Sequence, residues 1–414
     1  MAVGRNGGLI AGLDVGSTKV CCFIARADQN GIRVVGIGHQ VSRGLRCGSV
    51  IDMDAAEESI RAAVDAAERM AGETIREVHV NLSGGNPTSH TVGVEVSIAG
   101  HEVGDSDIRK VLEHGRARNE PGERYVVHAL PVGYTIDGSR GIRDPRGMFG
   151  ERLGVNMHII AAATGPVRNL ATCVERCHLR IAGLVVSPYA SGLASLVEDE
   201  MDLGVTLIDC GGGATTIAVF YDGSLVFTDC IPVGGAHVTN DVARGLSTPM
   251  AHAERMKTLY GSAIPSASDE NEIIDVPQVG ETERHSANHV PRSVLVGIIK
   301  PRVEETLELV RERLANSGFE KVAGRRVVLT GGASQLQGMR ELAARVLDKQ
   351  VRLGRPIRVA GLAEATGGPA FATCAGLLSY AQRMQAEQVE HAPEPAQQAG
   401  GRLARIGQWL RMNF

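Results

Sequence analysis

The stretch Asp209-Cys210-Gly211-Gly212-Gly213-Ala214-Thr215-Thr216 lies between two apolar, β-branched runs, Gly204–Cys210 and Thr215–Tyr221. Such runs predict β-strands, and the glycines predict a tight turn between them. Three consecutive glycines carry a large conformational-entropy cost, so they are useful only where the backbone turns sharply or approaches a ligand. Because small residues let backbone N–H groups approach phosphate oxygens, the stretch predicts a phosphate-binding turn. Its candidate binding residues are Asp209, Gly211, Gly212, Gly213, Thr215 and Thr216.

A similar turn lies in the N-terminal half of the chain, in Asp14-Val15-Gly16-Ser17-Thr18-Lys19. Taken alone, an Asp-x-Gly turn is more often plain hairpin chemistry than a binding site. Three runs, Leu9–Val15, Thr18–Ala27 and Ile32–Val41, predict a three-stranded meander around it. Asp14 and Asp209 hold the same place in the two halves, which indicates an internal duplication at the scale of a domain. The candidate residues here are Asp14, Gly16, Ser17, Thr18 and Lys19.

A third glycine turn, Thr330-Gly331-Gly332-Ala333-Ser334, comes where a predicted strand meets a predicted helix. A nucleoside or its α-phosphate can lie against such bare backbone, which makes Gly331, Gly332 and Ala333 candidates. Two turns facing each other across a cleft can bind a polyphosphate from both sides. Asp14 and Asp209 would then lie beside Mg²⁺ and contact it through the waters that this ion retains.

The composition and the charge argue against several other classes of protein. The chain has 414 residues, of which 43% are hydrophobic and 22% charged, as expected for a globular protein of more than one lobe. A formal net charge of -4 gives no reason to expect a nucleic-acid partner. The eight cysteines are scattered and predict buried thiols rather than a metal site. The N-terminus lacks the pattern of a secretory signal, and no apolar run has the length of a membrane span, so we expect the chain to fold in the cytoplasm.

The three turns in this order resemble the superfamily of actin, sugar kinases and heat-shock chaperones. The resemblance implies an α/β, two-lobed ATPase fold of the duplicated ribonuclease H-like type, and it implies ATP and Mg as ligands. Glu254 and Lys257 are similar to residues of the superfamily's adenine-side helix. Without that resemblance, the two residues would be read as a solvated i,i+3 ion pair.

Within the superfamily, the order of elements resembles the FtsA family of bacterial cell-division proteins. The segments Arg146–Leu153 and Gly234–Asp241 are similar to parts of that family, as are a linker and an amphipathic tail. The implied first lobe comprises 9–84 and 164–200, with 369–388 returning to it, and an inserted small α+β subdomain comprises 85–163. The implied second lobe comprises 201–368, with a subdomain at 240–300, before a flexible linker at 389–401 and an amphipathic helix at 402–414.

The tail has the pattern of a membrane-surface anchor. Projected at about 100° per residue, its apolar residues fall on one side of a helix, with the chain's one tryptophan at the edge of that side. These residues are Leu403, Ile406, Trp409, Leu410 and Phe414. A short, basic, amphipathic helix after a linker is typical of an interfacial anchor, and the alternative is a helix docked on the protein's own body.

The resemblance to FtsA implies a protein that polymerises and binds the C-terminal tail of the tubulin-like protein FtsZ. Such a protein tethers the division ring to the cytoplasmic face of the membrane and recruits later division proteins. Two alternatives remain open, a small-molecule kinase of the same superfamily and a pilus-assembly adaptor. No carboxylate or carboxamide lies in Gly183–Ser187, where the chaperones place one before a proline, so the catalytic residue is unknown and we expect slow ATP hydrolysis at most.

Three local predictions bear on the fold. Asp54–Ala71 has helical spacing with an aspartate at its start as a cap, and Gln335–Leu347 is also predicted to be helical. The polar, proline-broken segment Ser262–Val290 predicts an exposed excursion.

Overall fold

The structure, a computed structural model, describes residues 8–28, 31–117, 124–280 and 288–390. The predicted amphipathic helix at 402–414 lies outside these residues, as does the part of the predicted linker at 391–401. Residues 389–390, at the start of that predicted linker, belong to the last described helix, Ala372–Glu390. Within the described ranges, no helix combines the length and the apolar character needed to cross a bilayer.

The first lobe contains a six-stranded mixed sheet. In spatial order its strands are Arg180–Val186 (β11), Glu77–Leu82 (β6), Leu9–Val15 (β1), Lys19–Asp28 (β2), Gly31–Val41 (β3) and Val359–Ala360 (β19). β1, β2 and β3 pair antiparallel, which confirms the predicted meander, whereas β6 pairs parallel with β1. Alternate side chains of β2 are buried on opposite faces, so both faces of this sheet are covered by helices.

The helix Met53–Ala71 (α1) covers one face of this sheet together with Thr164–Arg176 (α3). α1 lies very close to β3, because a Cβ on Gly38 would come within 1.9 Å of the Ala63 carbonyl oxygen. The predicted cap at Asp54 is wrong. Asp52 precedes the first helical residue, and its carboxylate accepts hydrogen bonds from the amides of Asp54 and Ala55 at 3.1 Å. A side chain reaches those unpaired amides only from this position, where the backbone is still extended.

Between β3 and α1 lies a small hairpin of Leu45–Arg46 (β4) and Ser49–Val50 (β5). The inserted segment forms a separate antiparallel sheet with one helix, Asp105–Ala117 (α2), packed against it. The strands of this sheet, in spatial order, are Thr88–Ser97 (β7), Arg152–Ala163 (β10), Arg124–Ile136 (β8) and Ser139–Ile142 (β9). This is the small α+β insertion expected for the fold class.

The second lobe repeats the sheet of the first. Its strands, in spatial order, are Ser224–Ile231 (β14), Thr215–Tyr221 (β13), Val205–Cys210 (β12), Arg326–Thr330 (β17) and Gln350–Leu353 (β18). β12 pairs antiparallel with β13 and parallel with β17, as β1 pairs with β2 and β6. The register is also repeated, since Asp209 lies opposite Thr216 and Asp14 lies opposite Cys21. The duplication predicted from the two aspartates therefore exists in the strand pairing.

Five elements extend the second lobe on one side, and the last of them is a long helix. They are Gly235–Gly245 (α6), Met250–Tyr260 (α7), the hairpin Ile273–Val276 (β15) with Asn288–Pro291 (β16), and Arg292–Asn316 (α8). The prediction of an exposed excursion is wrong for part of this segment. Ile274 and Val276 are buried in the lobe's core, and the buried carboxylate of Asp269 pairs with Arg292 at 2.7 Å. The ion pair with Arg292 compensates the buried charge of Asp269, although the polar residues around Asp269 in the sequence predict a solvated side chain.

The predicted helix Gln335–Leu347 is shorter than expected. A 3₁₀ turn, Gly332–Gln335, precedes the helix Met339–Leu347 (α9), and Gly338 with a φ of 76° separates the two. Three further helices lie between the lobes or join them: Ser187–Ser195 (α4), Glu198–Leu203 (α5) and Ala372–Glu390 (α10). α10 covers the second face of the first lobe's sheet and lies against α4, where a Cβ on Gly376 would meet the Ala190 carbonyl oxygen at 1.7 Å.

Candidate nucleotide-binding site

The first glycine turn joins β1 to β2 and has a closed geometry. The Gly16 amide donates a hydrogen bond to the Lys19 carbonyl at 3.0 Å, and a Cβ on Gly16 would lie 2.8 Å from that same oxygen. Only glycine fits at this point of the turn. The Ser17 hydroxyl oxygen accepts a hydrogen bond from the Gly48 amide at 2.8 Å, so the β4–β5 hairpin packs onto the turn.

The second turn joins β12 to β13 and has the same geometry. The Gly211 amide donates to the Ala214 carbonyl at 3.0 Å. The start of α6 lies on this turn, because the amides of Gly235 and Ala236 donate to the carbonyls of Gly211 and Gly212 at 3.0 and 2.8 Å. The turn is therefore held in place by hydrogen bonds within its own lobe.

The two turns, one from each lobe, contact each other. A Cβ on Gly212 would lie 2.4 Å from Cγ2 of Thr18, and one on Gly213 would lie 2.3 Å from Oγ of Ser17. The structure thus brings the two predicted phosphate turns together, as the sequence hypothesis requires. Their backbone amides and small side chains form a surface without bulky groups, which suits a polyphosphate chain.

Two buried carboxylates lie at the base of the turns. Asp14 and Asp209 are the penultimate residues of β1 and β12 and are 8% and 6% exposed. Burial raises the pKa of Asp14 to about 6, with the charge of Asp209 adding to the rise and the ammonium of Lys19 opposing it. Burial also raises the pKa of Asp209, while the hydroxyls of Ser191 and Thr373 and the ammonium of Lys19 lower it. Two buried carboxylates whose pKa values are raised by burial favour a cation beside them, because a nearby positive charge stabilises their ionised forms.

The two threonines after the second turn have different surroundings. The Thr215 hydroxyl donates to the Val233 carbonyl at 2.8 Å and therefore already has a partner. The Thr216 hydroxyl is buried and has no hydrogen-bond partner among the described residues. It lies opposite Asp209 in the strand pairing. This unpaired oxygen and the two carboxylates are a donor set of the hard-oxygen kind that Mg²⁺ and its waters prefer, so the residues present fit that ion.

The third turn lies next to the second. Gly331 has a φ of 82°, and a Cβ there would be 2.4 Å from Oδ1 of Asp209. Ala333 of the same turn lies close to α6, since a Cβ on Gly235 would be 3.1 Å from its side chain. The turn therefore reaches from the carboxylate pair towards α6 and α7.

Glu254 and Lys257 lie on α7 and form the predicted i,i+3 pair, with Nζ and Oε2 2.7 Å apart. The Lys257 ammonium also donates to the Thr239 hydroxyl at 2.9 Å and to the Gly235 carbonyl at 3.3 Å. These contacts connect the pair to the start of α6, beside Ala333. Glu254 and Lys257 therefore lie next to the third turn and the start of α6.

A polar cluster that the sequence reasoning missed lies on the other side of the first turn. The Asn81 side chain, which is 1% exposed, accepts a hydrogen bond from the Val15 amide at 2.6 Å. It donates to the hydroxyls of Ser187 and Ser83 at 3.1 and 3.2 Å, and these two hydroxyls are 2.7 Å apart. The signal was an asparagine within the apolar strand β6. Ser187 holds the place before Pro188 where a carboxylate was sought, and it binds Asn81 instead.

Comparison with known proteins assigns the family. The family described as "Cell division protein FtsA" matches residues 206–376, and the one described as "SHS2 domain inserted in FTSA" matches residues 84–161. A cell division protein FtsA of Rhizobium meliloti (strain 1021) is 48% identical over 98% of this chain and 95% of its own length. The FtsA of Escherichia coli (strain K12) is 33% identical over 98% of both chains.

Solved structures show the same fold at low sequence identity. A PilM-PilN type IV pilus biogenesis complex matches with a TM-score of 0.62 and 17% identity, over 89% of this chain and 97% of the other. MreB5 of Spiroplasma citri bound to ADP matches with a TM-score of 0.55 and 12% identity, over 93% and 99% of the two chains. The actin-like fold predicted from the three turns is confirmed, and the chain belongs to the FtsA family of cell division proteins.

Proposed function

We propose that this protein binds Mg·ATP between its two lobes, self-assembles, and tethers the FtsZ ring to the cytoplasmic face of the membrane at the division site. In this role it also recruits later division proteins. One observation supports the nucleotide part most strongly. Two equivalent glycine turns, one per lobe, meet above a pair of buried aspartates whose pKa values are raised by burial and, for Asp14, by its neighbour.

In the proposed complex, the amides of Gly16–Thr18 and Gly211–Gly213 bind phosphate oxygens, and the Lys19 ammonium neutralises phosphate charge. Asp14 and Asp209 would hold Mg²⁺ through its waters, with the Thr216 hydroxyl as an additional oxygen. The metal would supply charge neutralisation to the phosphates. Gly331–Ala333 and the pair Glu254–Lys257 would contact the nucleoside. Because these groups come from both lobes, binding would favour lobe closure.

The membrane and FtsZ parts of the proposal rest on family membership and on the tail pattern, which lies outside the described residues. The proposed anchor face comprises Leu403, Ile406, Trp409, Leu410 and Phe414. Burial of these side chains in a membrane surface offers only a few kcal/mol, so one copy binds weakly. Self-assembly would raise the apparent affinity through multivalency. The proposed surface for the FtsZ tail lies within 240–300.

A co-sedimentation experiment tests the proposal directly. The full chain is mixed with vesicles that contain anionic lipid, with and without FtsZ, and with Mg·ATP or EDTA. We expect the protein to pellet with vesicles, to bring FtsZ with it, and to do so more completely with Mg·ATP. Failure to bring FtsZ to vesicles that the protein itself binds would refute the tethering role.

The two alternatives predict other results. A kinase would consume ATP faster when its small-molecule substrate is added, and it would need a carboxylate to deprotonate the substrate hydroxyl. The polar groups next to the first turn are instead the amide of Asn81 and the hydroxyls of Ser83 and Ser187. A pilus adaptor would retain pilus proteins rather than FtsZ in a pulldown.

A further inference from the structure

The ammonium of Lys19, a proposed phosphate ligand, already has two partners in the structure. Its Nζ atom donates a hydrogen bond to the Ala370 carbonyl at 2.5 Å and lies 3.5 Å from the centre of the Phe371 ring. The ring is positioned by stacking on Phe23, with centroids 6.0 Å apart, and by an edge contact with His39. The lysine thus makes a cation–π contact of defined geometry with a buried aromatic residue.

Pro369–Phe371, here called the return segment, also contacts the third glycine turn. The Pro369 carbonyl accepts hydrogen bonds from the Gly331 amide at 3.1 Å and from the Thr330 hydroxyl at 3.3 Å. One short segment therefore connects Lys19 at the phosphate end with Gly331 at the nucleoside end.

The helix that follows the return segment is fixed. Thr373 donates to Asp209 at 3.0 Å, and Gly376 is in backbone contact with Ala190. α10 therefore cannot shift along α4 without a clash, and any movement that begins at Lys19 is confined to the residues before Thr373. Such a movement reaches Gly331 through the Pro369 carbonyl.

A phosphate oxygen competes with the present partners of Lys19. It carries a formal negative charge, and a charge-assisted hydrogen bond between two ions is stronger than one to a neutral carbonyl. The flexible four-carbon side chain of lysine lets the ammonium move without moving the β1–β2 turn. Phosphate binding would consequently remove both contacts of Lys19 with the return segment.

We propose that, when a nucleoside polyphosphate binds, the Lys19 ammonium moves from Ala370 and Phe371 to a phosphate oxygen. This movement releases the return segment and changes its contact with the Gly331 turn. This inference rests on the proposed nucleotide binding and concerns its regulation. It makes Phe371 a positioning residue that opposes binding of the phosphate chain. It also couples the phosphate end of the site to the nucleoside end.

Hydrogen exchange of the full chain, with and without saturating Mg·ATP, is the first test. We expect amides of 211–214 to exchange more slowly on ATP addition and amides of 370–372 to exchange faster, because Lys19 leaves the return segment. Slower or unchanged exchange at 370–372, with ATP bound, would overturn the inference. Absence of any ATP binding would refute the proposed function itself, so the two failures are distinguishable.

Variants of Phe371 are the second test, read by ATP affinity in titration calorimetry. Phe371→Leu removes the competing ring and should tighten ATP binding by about two- to tenfold. Phe371→Tyr keeps a ring of the same shape and should bind as the unchanged protein does. Phe227→Leu, which opens the aromatic pair of Phe227 and Phe319, is the control for a lost stacking contact and should leave ATP affinity unchanged. Equal affinity of the Leu and Tyr variants at position 371 would overturn the inference, and if Phe371→Leu does not fold, the exchange experiment decides.

Discussion

Gly16 and Gly211 occupy the same position in two copies of one motif. Each amide donates a 3.0 Å hydrogen bond to the carbonyl three residues later, Lys19 in one copy and Ala214 in the other. A Cβ on either glycine would lie 2.8 Å from that carbonyl oxygen. Together with the repeated strand register, this equivalence shows that the two lobes present the same turn to the cleft from opposite sides.

The contact between the turns predicts the effect of a single substitution. Gly212→Asp should abolish ATP binding, because the side chain would clash with Thr18 and place a carboxylate against the phosphates. Gly165→Asp is a matched control, since a Cβ at Gly165 meets nothing within 4 Å. Titration of ATP in the presence of Mg²⁺ measures both variants. Unchanged affinity in Gly212→Asp would remove the phosphate-turn assignment.

The raised pKa of Asp14 predicts a pH dependence of metal binding. With a pKa of about 6, Asp14 is ionised at pH 7 and mostly protonated at pH 5. Mg²⁺ requires the carboxylate, so the apparent affinity for Mg²⁺ in the ATP complex should fall about tenfold between pH 7 and 5. Asp14→Asn should bind Mg²⁺ weakly at both values. A wild-type affinity that does not change over this interval would contradict a metal site at Asp14.

The raised pKa of Asp14 also affects the stability of the metal-free protein. This stability falls as pH rises, whereas the affinity for Mg²⁺ increases. A carboxyl whose pKa is higher in the folded than in the unfolded state destabilises the folded protein as pH rises through the interval between the two values. Asp14→Asn should therefore raise the melting temperature of the nucleotide-free protein at pH 7.5, where wild-type Asp14 is ionised. Asp52→Asn is the control, because Asp52 lies at the exposed cap of α1 and its replacement removes no buried charge.

Two buried histidines predict loss of stability in mild acid. Burial, with the charge of a neighbouring histidine, lowers the pKa of His128 from 6.5 to about 3, and burial lowers that of His158 to about 4. His128 accepts a hydrogen bond from the Val186 amide through Nε2, so it must be neutral there. The unfolded chain binds protons first as pH falls below 6.5, and stability should fall by about 1 to 2 kcal/mol per histidine by pH 5.

Urea unfolding at pH 7.5 and pH 5 measures this loss, and variants assign it. His158→Leu should lose less stability on acidification than the unchanged protein. His114→Leu, at an exposed position of α2, should lose as much as the unchanged protein. Equal losses in all three proteins would show that other groups cause the acid sensitivity.

Contacts between the insertion and the second lobe predict an effect on nucleotide release. Arg143 pairs with Asp222, with Nε and Oδ1 2.9 Å apart, and the Ser89 hydroxyl oxygen accepts from the Thr228 amide at 3.0 Å. Arg143→Glu should speed release by at most about fivefold, because the ion pair is exposed. Arg143→Glu combined with Asp222→Arg should restore the wild-type rate. A fluorescent ATP analogue measures release, and equal rates in the single and double variants would contradict the role of this ion pair.

The tail predicts a separation of membrane binding from folding. Leu410→Glu, near the centre of the proposed anchor face, should abolish vesicle binding through the desolvation cost of a carboxylate. Met412→Glu is the matched control, since Met412 projects on the polar side of the same helix. The melting temperature and ATP affinity should stay the same in both variants. A lower melting temperature in Leu410→Glu with intact vesicle binding would mean that the tail packs on the protein itself.

Local patterns predicted much of the fold. The alternating apolar runs and their glycine turns predicted β1, β2 and β3, and the position of Asp14 and Asp209 predicted the duplicated lobes. The sequence-based predictions fail where a residue's partner in space is distant along the chain. The charged run around Asp269 predicts a solvated carboxylate, yet Asp269 is buried and pairs with Arg292. Asn81 gave no local signal of its contact with Ser187, which comes from another strand end.

The sequence by itself determined the turns, the two lobes and the candidate site residues on those turns, because glycine, aspartate and apolar periodicity act through backbone geometry within a few residues. Only the tertiary structure decided which turns meet and which residues contact Lys19. Thr18 lies against Gly212, and Lys19 lies against Ala370 and Phe371, which are far away along the chain. Such contacts depend on how the two lobes and α10 pack around the cleft, and no local pattern encodes that arrangement.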